Sequence, residues 1–185
     1  MNRESERIYD EFLVAAAVTG DRAALSRLVA RWNPRLIRHA WRLLGERERA
    51  KDMAQEGWMD ILRGLSQLND VAAFPAWAYR IVTRRCQREF HRRGREAIAV
   101  DDEELEMAAQ AAEKASAEWA ADLSTVMAAI GGLPGPQRAA LALFYIEDLS
   151  VAEIAIATDV PPGTVKTRLM HARRKVRAIL QGEDS

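Results

Sequence analysis

The chain contains one cysteine, Cys86, so it cannot form an intrachain disulfide, and nothing in it calls for an oxidising compartment. It has no apolar run approaching a membrane span, and no apolar signal core behind M-N-R-E-S-E-R-I. The expectation is a soluble, cytoplasmic protein without membrane insertion. His39, His91 and His171 lie far apart and, with a single cysteine, offer no metal-ligand spacing. There is no phosphate-cradling glycine loop and no nucleophile motif, so an enzyme is the weakest reading and no cofactor is expected. Strand alternation and repeats are also missing; the chain reads as all helix. An excess of one charge is lacking as well, with 27 Lys and Arg against 27 Asp and Glu. Total charge therefore points to no partner.

The distribution of that charge does. Arg80 to Arg95 holds seven Arg against one Glu, Val100 to Asp122 holds eight acidic residues against one Lys, and Gly163 to Leu180 holds six Lys or Arg with no acid. Basic, acidic, basic is a layout with separate partners for separate segments.

The densest information lies between Ser150 and Leu180. Ser150 and Glu153 form a Ser-x-x-Glu capping box, with Leu149 and Ile154 placed as a hydrophobic staple. The helix they open must end near Thr158-Asp159, since Asp tolerates a left-handed turn and Pro161-Pro162-Gly163 cannot continue it. Proline suits the first turn of the helix that follows. There Val165, Leu169, Ala172 and Val176 make one apolar stripe, and Thr167, Met170, His171 and Arg174 face away from it with Lys166 beside them. Arg168 and Lys175 flank the stripe on one side, Arg173 and Arg177 on the other. A short capped helix, a tight turn and a long basic helix make a helix-turn-helix whose second helix enters the DNA major groove.

Upstream, Ile8 to Val18 reads as a short helix and Asp21 caps a long one ended by Gly45, with a kink expected at Pro34. Its periodic residues include Leu28, Trp32, Leu36, Ala40 and Trp41. A third helix spans about Glu46 to Leu65, with Ala50, Met53, Ala54, Trp58, Ile61, Leu62 and Leu65 inward and Arg49, Asp52, Gln55, Glu56 and Asp60 outward. Ser66 to Ala73 reads as a loop. Phe74 and Pro75 start a helix with aromatics at its head and arginines at its end, a composition suited to nucleic acid. Phe74 and Trp77 themselves read as core. The acidic stretch after it cannot bury a core. Two all-helical domains follow, 1–95 and 122–185, joined by an acidic linker over 96–121.

L-P-G-P-Q-R-A-A-L-A-L-F-Y-I-E-D-L-S-V-A-E-I-A followed by G-T-V-K-T-R-L-M-H-A-R resembles the second conserved domain of bacterial extracytoplasmic-function sigma factors. D-M-A-Q-E at Asp52 to Glu56 and F-P-A-W-A-Y-R-I at Phe74 to Ile81 resemble their first. The resemblance implies a transcription-initiation factor that binds core RNA polymerase through Asp52, Gln55 and Glu56. It implies recognition and melting of the promoter's minus-ten element by Asn69, Arg80, Arg84, Arg85, Arg88 and Arg92. The helix after Gly163 would read the minus-thirty-five element. Base contacts are expected from Lys166, Thr167, Met170 and His171, and phosphate contacts mainly from Arg168, Arg173 and Arg174. An anti-sigma factor is implied as a further partner.

Some positions depart from the family pattern. Arg49 and Lys51 stand where acids are frequent, which weakens the acidic surface expected to meet polymerase. Arg84 replaces a common Asn, Arg88 a common Asp, Thr167 a usual Ser and His171 a usual Arg. Two other readings remain at this point: a stand-alone helix-turn-helix regulator, and a sigma-like module that sequesters an anti-sigma factor.

Overall fold

A computed structural model describes residues 3–97 and 126–181. Its order is α1 (Arg3–Val18), α2 (Arg22–Leu44), α3 (Arg47–Gly64), two short 3-10 turns (Leu65–Gln67 and Val71–Ala73) and α4 (Phe74–Ala97). The second half has a helical segment over 126–131, here α5, then α6 (Gly135–Tyr145), α7 (Val151–Thr158) and α8 (Pro162–Gln181). No strand occurs among the described residues. The acidic linker expected over 96–121 lies outside them, apart from Glu96 and Ala97 at the end of α4.

Local chemistry sets the helix ends. Asp21 accepts from the amides of Ala23 and Ala24 at 2.8 and 3.0 Å, which satisfies two of the free N–H groups of α2. Gly45, at φ 76°, takes the left-handed conformation that closes α2 and returns its N–H to the Trp41 carbonyl. Pro34 lies inside α2 without ending it. The expected loop at Ser66–Ala73 is mostly the two 3-10 turns, the second capped by Asp70.

The first half packs α2, α3 and α4 around Trp32. Its ring meets Phe74 edge-on at 5.1 Å and Tyr79 at 5.6 Å, all three buried. Phe74 is core as expected, and Tyr79 is closed off from any base-stacking role in this conformation. Two expectations of inward side chains do not hold. Trp41 is 41 % and Leu62 48 % exposed. Trp41 lies one position from the Ala40 stripe and carries the Arg138 guanidinium over its ring instead. Leu62 follows Ile61, which takes the core position.

The two halves do not stand apart. α7 packs against α4, and α6 against α2. The buried apolar cluster runs without a break from Leu13, Leu28 and Val82 to Leu143, Ile154 and Leu169.

Candidate nucleic-acid interface

In the helix-turn-helix, both halves of the capping box are present. The Glu153 amide donates to Ser150 Oγ at 3.2 Å, and the Ser150 amide donates to Glu153 Oε2 at 2.7 Å. Leu149 and Ile154 are both buried. Asp159 ends α7 at φ 55°, a left-handed residue that is not glycine. The amides of Thr164 and Val165 then return to the Pro161 carbonyl at 2.9 and 3.2 Å, which starts α8 within the turn.

Along α8, Val165, Leu169 and Ala172 are fully or almost fully buried and Val176 half-buried. Lys166, Thr167, Met170 and Arg174 are exposed, with His171 half-buried beside them. Thr167 Oγ1 donates to the Gly163 carbonyl at 3.0 Å, leaving its acceptor capacity outward. Arg168 is half-buried, and burial holds its guanidinium below its usual range. Arg173 lies 6.0 Å over the Phe144 ring, a shared use of stem and charge that leaves it exposed. Lys166, Thr167, Met170, His171 and Arg174 thus share the outward side of α8, while Arg168 borders the groove between the two halves and Arg173 lies on the opposite flank.

The arginines of α4 do not gather on one surface. Arg80 Nε and Nη2 donate to Asp159 Oδ1 at 3.1 and 2.9 Å, and Arg84 Nε donates to Asp159 Oδ2 at 3.2 Å. Arg85 turns to α3, reaching Asp60 Oδ2 at 2.5 Å and Glu56 Oε2 at 2.8 Å. Arg92 pairs with Glu89 at 2.9 Å. Arg88 and Asn69 are exposed.

On α3, Asp52 and Gln55 are exposed and Glu56 is half-buried. They border a polar hollow of about 450 Å³ that also touches Met59, Glu89 and Arg92. The two basic substitutions are balanced within their own turn. Arg49 pairs with Glu46 at 2.9 Å and Lys51 with Glu48 at 2.7 Å.

The residues that join the halves carry no signal in the sequence. Thr83 Oγ1 donates to the Ala157 carbonyl at 2.7 Å, which caps the C-terminus of α7. Its single hydroxyl proton is thereby used, so the 2.8 Å contact to His39 must be Nε2–H donating to Thr83. Its environment keeps His39 neutral at ordinary pH. Burial first, and the Arg42 charge second, push its pKa down to about 3. From the other side, Arg138 donates to the Arg42 carbonyl at 2.8 and 3.1 Å and to the Gly131 carbonyl at 2.8 Å. One guanidinium so closes the ends of α2 and α5. Gly135 fits because a Cβ there would lie 2.7 Å from the Leu43 carbonyl oxygen.

Residues 28–96 match the family model described as sigma-70 region 2, and residues 123–176 that of sigma-70 region 4. Among curated proteins the chain is similar to the RNA polymerase sigma-H factor of Pseudomonas aeruginosa, 29 % identical over 181 residues and covering 93 % of this chain and 94 % of that one. It is 33 % identical over 175 residues to the ECF RNA polymerase sigma factor SigE of Mycolicibacterium smegmatis, covering 90 % and 66 %. Its fold is that of RpoE solved with the anti-sigma factor NepR from Bartonella quintana, at a TM-score of 0.70, 22 % identity, and 85 % and 96 % coverage. CnrH, solved with the cytosolic domain of CnrY, gives 0.63 at 23 % identity over 96 % and 99 %.

Proposed function

Because the chain belongs to the extracytoplasmic-function sigma factors, which direct RNA polymerase to promoters, we propose how its helices divide that work. α8 reads the upstream element through Lys166, Thr167, Met170 and His171, with Arg168, Arg173 and Arg174 on phosphates. α4 and the Asn69 turn engage the downstream element through Arg80, Arg84 and Arg88. Asp52 and Gln55 on α3 meet core polymerase, and Glu56 holds α4 beside them through Arg85. The domains divide as 1–95 and 122–185, with the acidic 96–121 between. The protein acts in the cytoplasm as an initiation factor without catalytic activity of its own. No helix of the described residues is long and apolar enough to cross a membrane. An anti-sigma factor restrains it, by extension from the similar proteins solved with such partners.

The observation that carries this division is the exposed face of α8, basic and free of acids, set behind a fully formed capping box. The test is a pull-down of core polymerase and run-off transcription, with wild-type chain beside Asp52→Lys. Asp52 is the better probe than Glu56, whose replacement would also release Arg85. The variant is expected to lose most polymerase binding while keeping its helical content. Equal capture of polymerase by both chains removes Asp52 from the interface. Binding to an anti-sigma factor with no transcription is the outcome that a sequestering module predicts.

A further inference from the structure

The Asp159 carboxylate receives three donors from two arginines one helical turn apart on α4. One oxygen takes the Nε and Nη2 of Arg80, and the other takes Nε of Arg84. Two guanidiniums converging on a pair of oxygens form an anion cradle of the kind that suits a phosphate. The donor of the anion is the turn of the helix-turn-helix, from the far half of the chain. We infer that Arg80 and Arg84 form a phosphate site for the DNA backbone that is filled, in the closed chain, by Asp159, so that the helix-turn-helix unit acts as a lid on α4. This rests on the reading of α4 as the helix that contacts the downstream element.

Three further contacts show that the docking is specific. Each half completes the helix ends of the other. Thr83 of α4 donates to the Ala157 carbonyl near the end of α7, and Arg138 of α6 to the Arg42 carbonyl near the end of α2. Arg7 of α1 reaches Glu153, a member of the α7 capping box, at 2.6 Å. Gly135 lets α6 sit on carbonyls that any side chain would push away. The turn that carries Asp159 is therefore held in place by neighbours that would remain if its charge were removed. The pairing also shows in the titration of Asp159. Its carboxyl is held below the usual range, chiefly by the hydrogen bond from Arg84 and then that from Arg80, against a burial cost.

The closed chain cannot address both promoter elements. The two elements are on the order of 25 base pairs apart by their names, which is roughly 85 Å of duplex at 3.4 Å per pair. Here α7 lies directly against α4, one residue before the turn into α8. The lid covers only the α4 cradle, since the outward face of α8 stays exposed. Opening is thus a required step, and Asp159 sets part of what it must overcome.

The experiment uses the whole chain and two readouts. The first is binding of a fluorescein-labelled single-stranded oligodeoxynucleotide of mixed sequence. The second is the labelling rate of Cys86, the only cysteine, with a thiol reagent. Cys86 is buried, its pKa is pushed up to about 12 mainly by burial, and it lines a groove of about 230 Å³ shared with Pro136, Thr158 and Arg168 of the second half. Asp159→Asn keeps a residue that tolerates the left-handed turn and removes the charge. It is expected to bind the oligonucleotide about threefold to tenfold more tightly, the range for losing two exposed ion pairs, and to label faster at Cys86. Adding Arg80→Ala and Arg84→Ala should abolish the gain. Gly135→Val opens the same interface from a different element and should act likewise without touching any charge.

Unchanged affinity in Asp159→Asn overturns the proposal, even if Cys86 labels faster, because opening would then uncover no DNA site. A gain that survives loss of Arg80 and Arg84 overturns it too. Run-off transcription by the wild-type chain reports separately on the proposed function. Failure there with the oligonucleotide gain intact sinks the initiation role and leaves the lid. Normal transcription without the gain sinks the lid alone.

Discussion

His39 sits in the core, hydrogen-bonded to Thr83 and near the Arg42 charge, and it bears on how stability responds to pH. Its ordinary pKa is 6.5, and in the folded chain burial and Arg42 lower it to about 3. The unfolded chain therefore binds one more proton than the folded chain between those values. Stability contributed by this group is complete above its unfolded pKa and falls as pH drops toward 3, by up to about 1.4 kcal/mol per pH unit. The melting temperature is expected to be lower at about pH 5 than at about pH 7. In His39→Gln, which retains a donor for Thr83 but cannot titrate, the decline should flatten; an identical decline would assign it to other groups. None of this was legible in the sequence, where His39 shows only as one of three scattered histidines. Its role arises from Thr83, which is 44 positions away, and from the Ala157 carbonyl that Thr83 also binds. By contrast, the left-handed Asp159 was legible, because its cause is local. It precedes V-P-P-G, and few residues other than glycine can turn there. What the sequence could not reveal is that the same carboxylate faces Arg80 and Arg84.

Among the elements, α7 is a helix of only eight residues that depends on its ends. Its eight residues are too few to persist on propensity alone. The Ser150 cap at one end and Thr83 at the other replace hydrogen bonds that so short a helix cannot make internally. Ser150→Ala is expected to cost about 0.5–2 kcal/mol in denaturant melts, because the Glu153 amide loses its acceptor while the amide of residue 150 keeps the Glu153 carboxylate. A change below the error of the extrapolation would mean that docking on α4 alone holds α7. Both helices of the helix-turn-helix were legible at nearly their true limits, because caps, turn residues and the Val165 stripe agree. The outer helices were read less well. α1 begins at Arg3 rather than near Ile8, and the loop before α4 is wound into two 3-10 turns. The exposed Trp41 and Leu62 show why. Periodicity gives the direction of a stripe, but its width depends on what packs against it, and α6 covers the end of α2 with Arg138 rather than an apolar side chain.

At the level of the whole molecule, fold class and the order of the two helical units followed from pattern, but their docking did not. Composition marked 96–121 as an acidic linker between two helical domains and carried no sign of how they meet. The bonds that join them are single polar side chains on opposite halves, and no periodic signal encodes such pairs. They are also long-range connections: Arg7 to Glu153 spans 146 positions, Arg138 to Arg42 spans 96, Thr83 to Ala157 spans 74, and Arg84 and Arg80 to Asp159 span 75 and 79. Each half is built mainly from neighbouring helices, so each is expected to fold first and dock afterwards, since distant contacts must close a long loop before they contribute. In refolding, helical circular dichroism should recover before Cys86 becomes protected from a thiol reagent; simultaneous recovery would show a single cooperative unit.

That separation has a consequence for synthesis on the ribosome. Residues 1–97 contain all of α1 to α4, and so can complete the core around Trp32 before any of α7 exists. At about 5–20 residues per second, Asp159 is polymerised roughly 3–12 s after Ala97. For that interval every new copy of the protein carries Arg80 and Arg84 with no Asp159 to meet them, so each molecule passes once through an uncovered state before it can close.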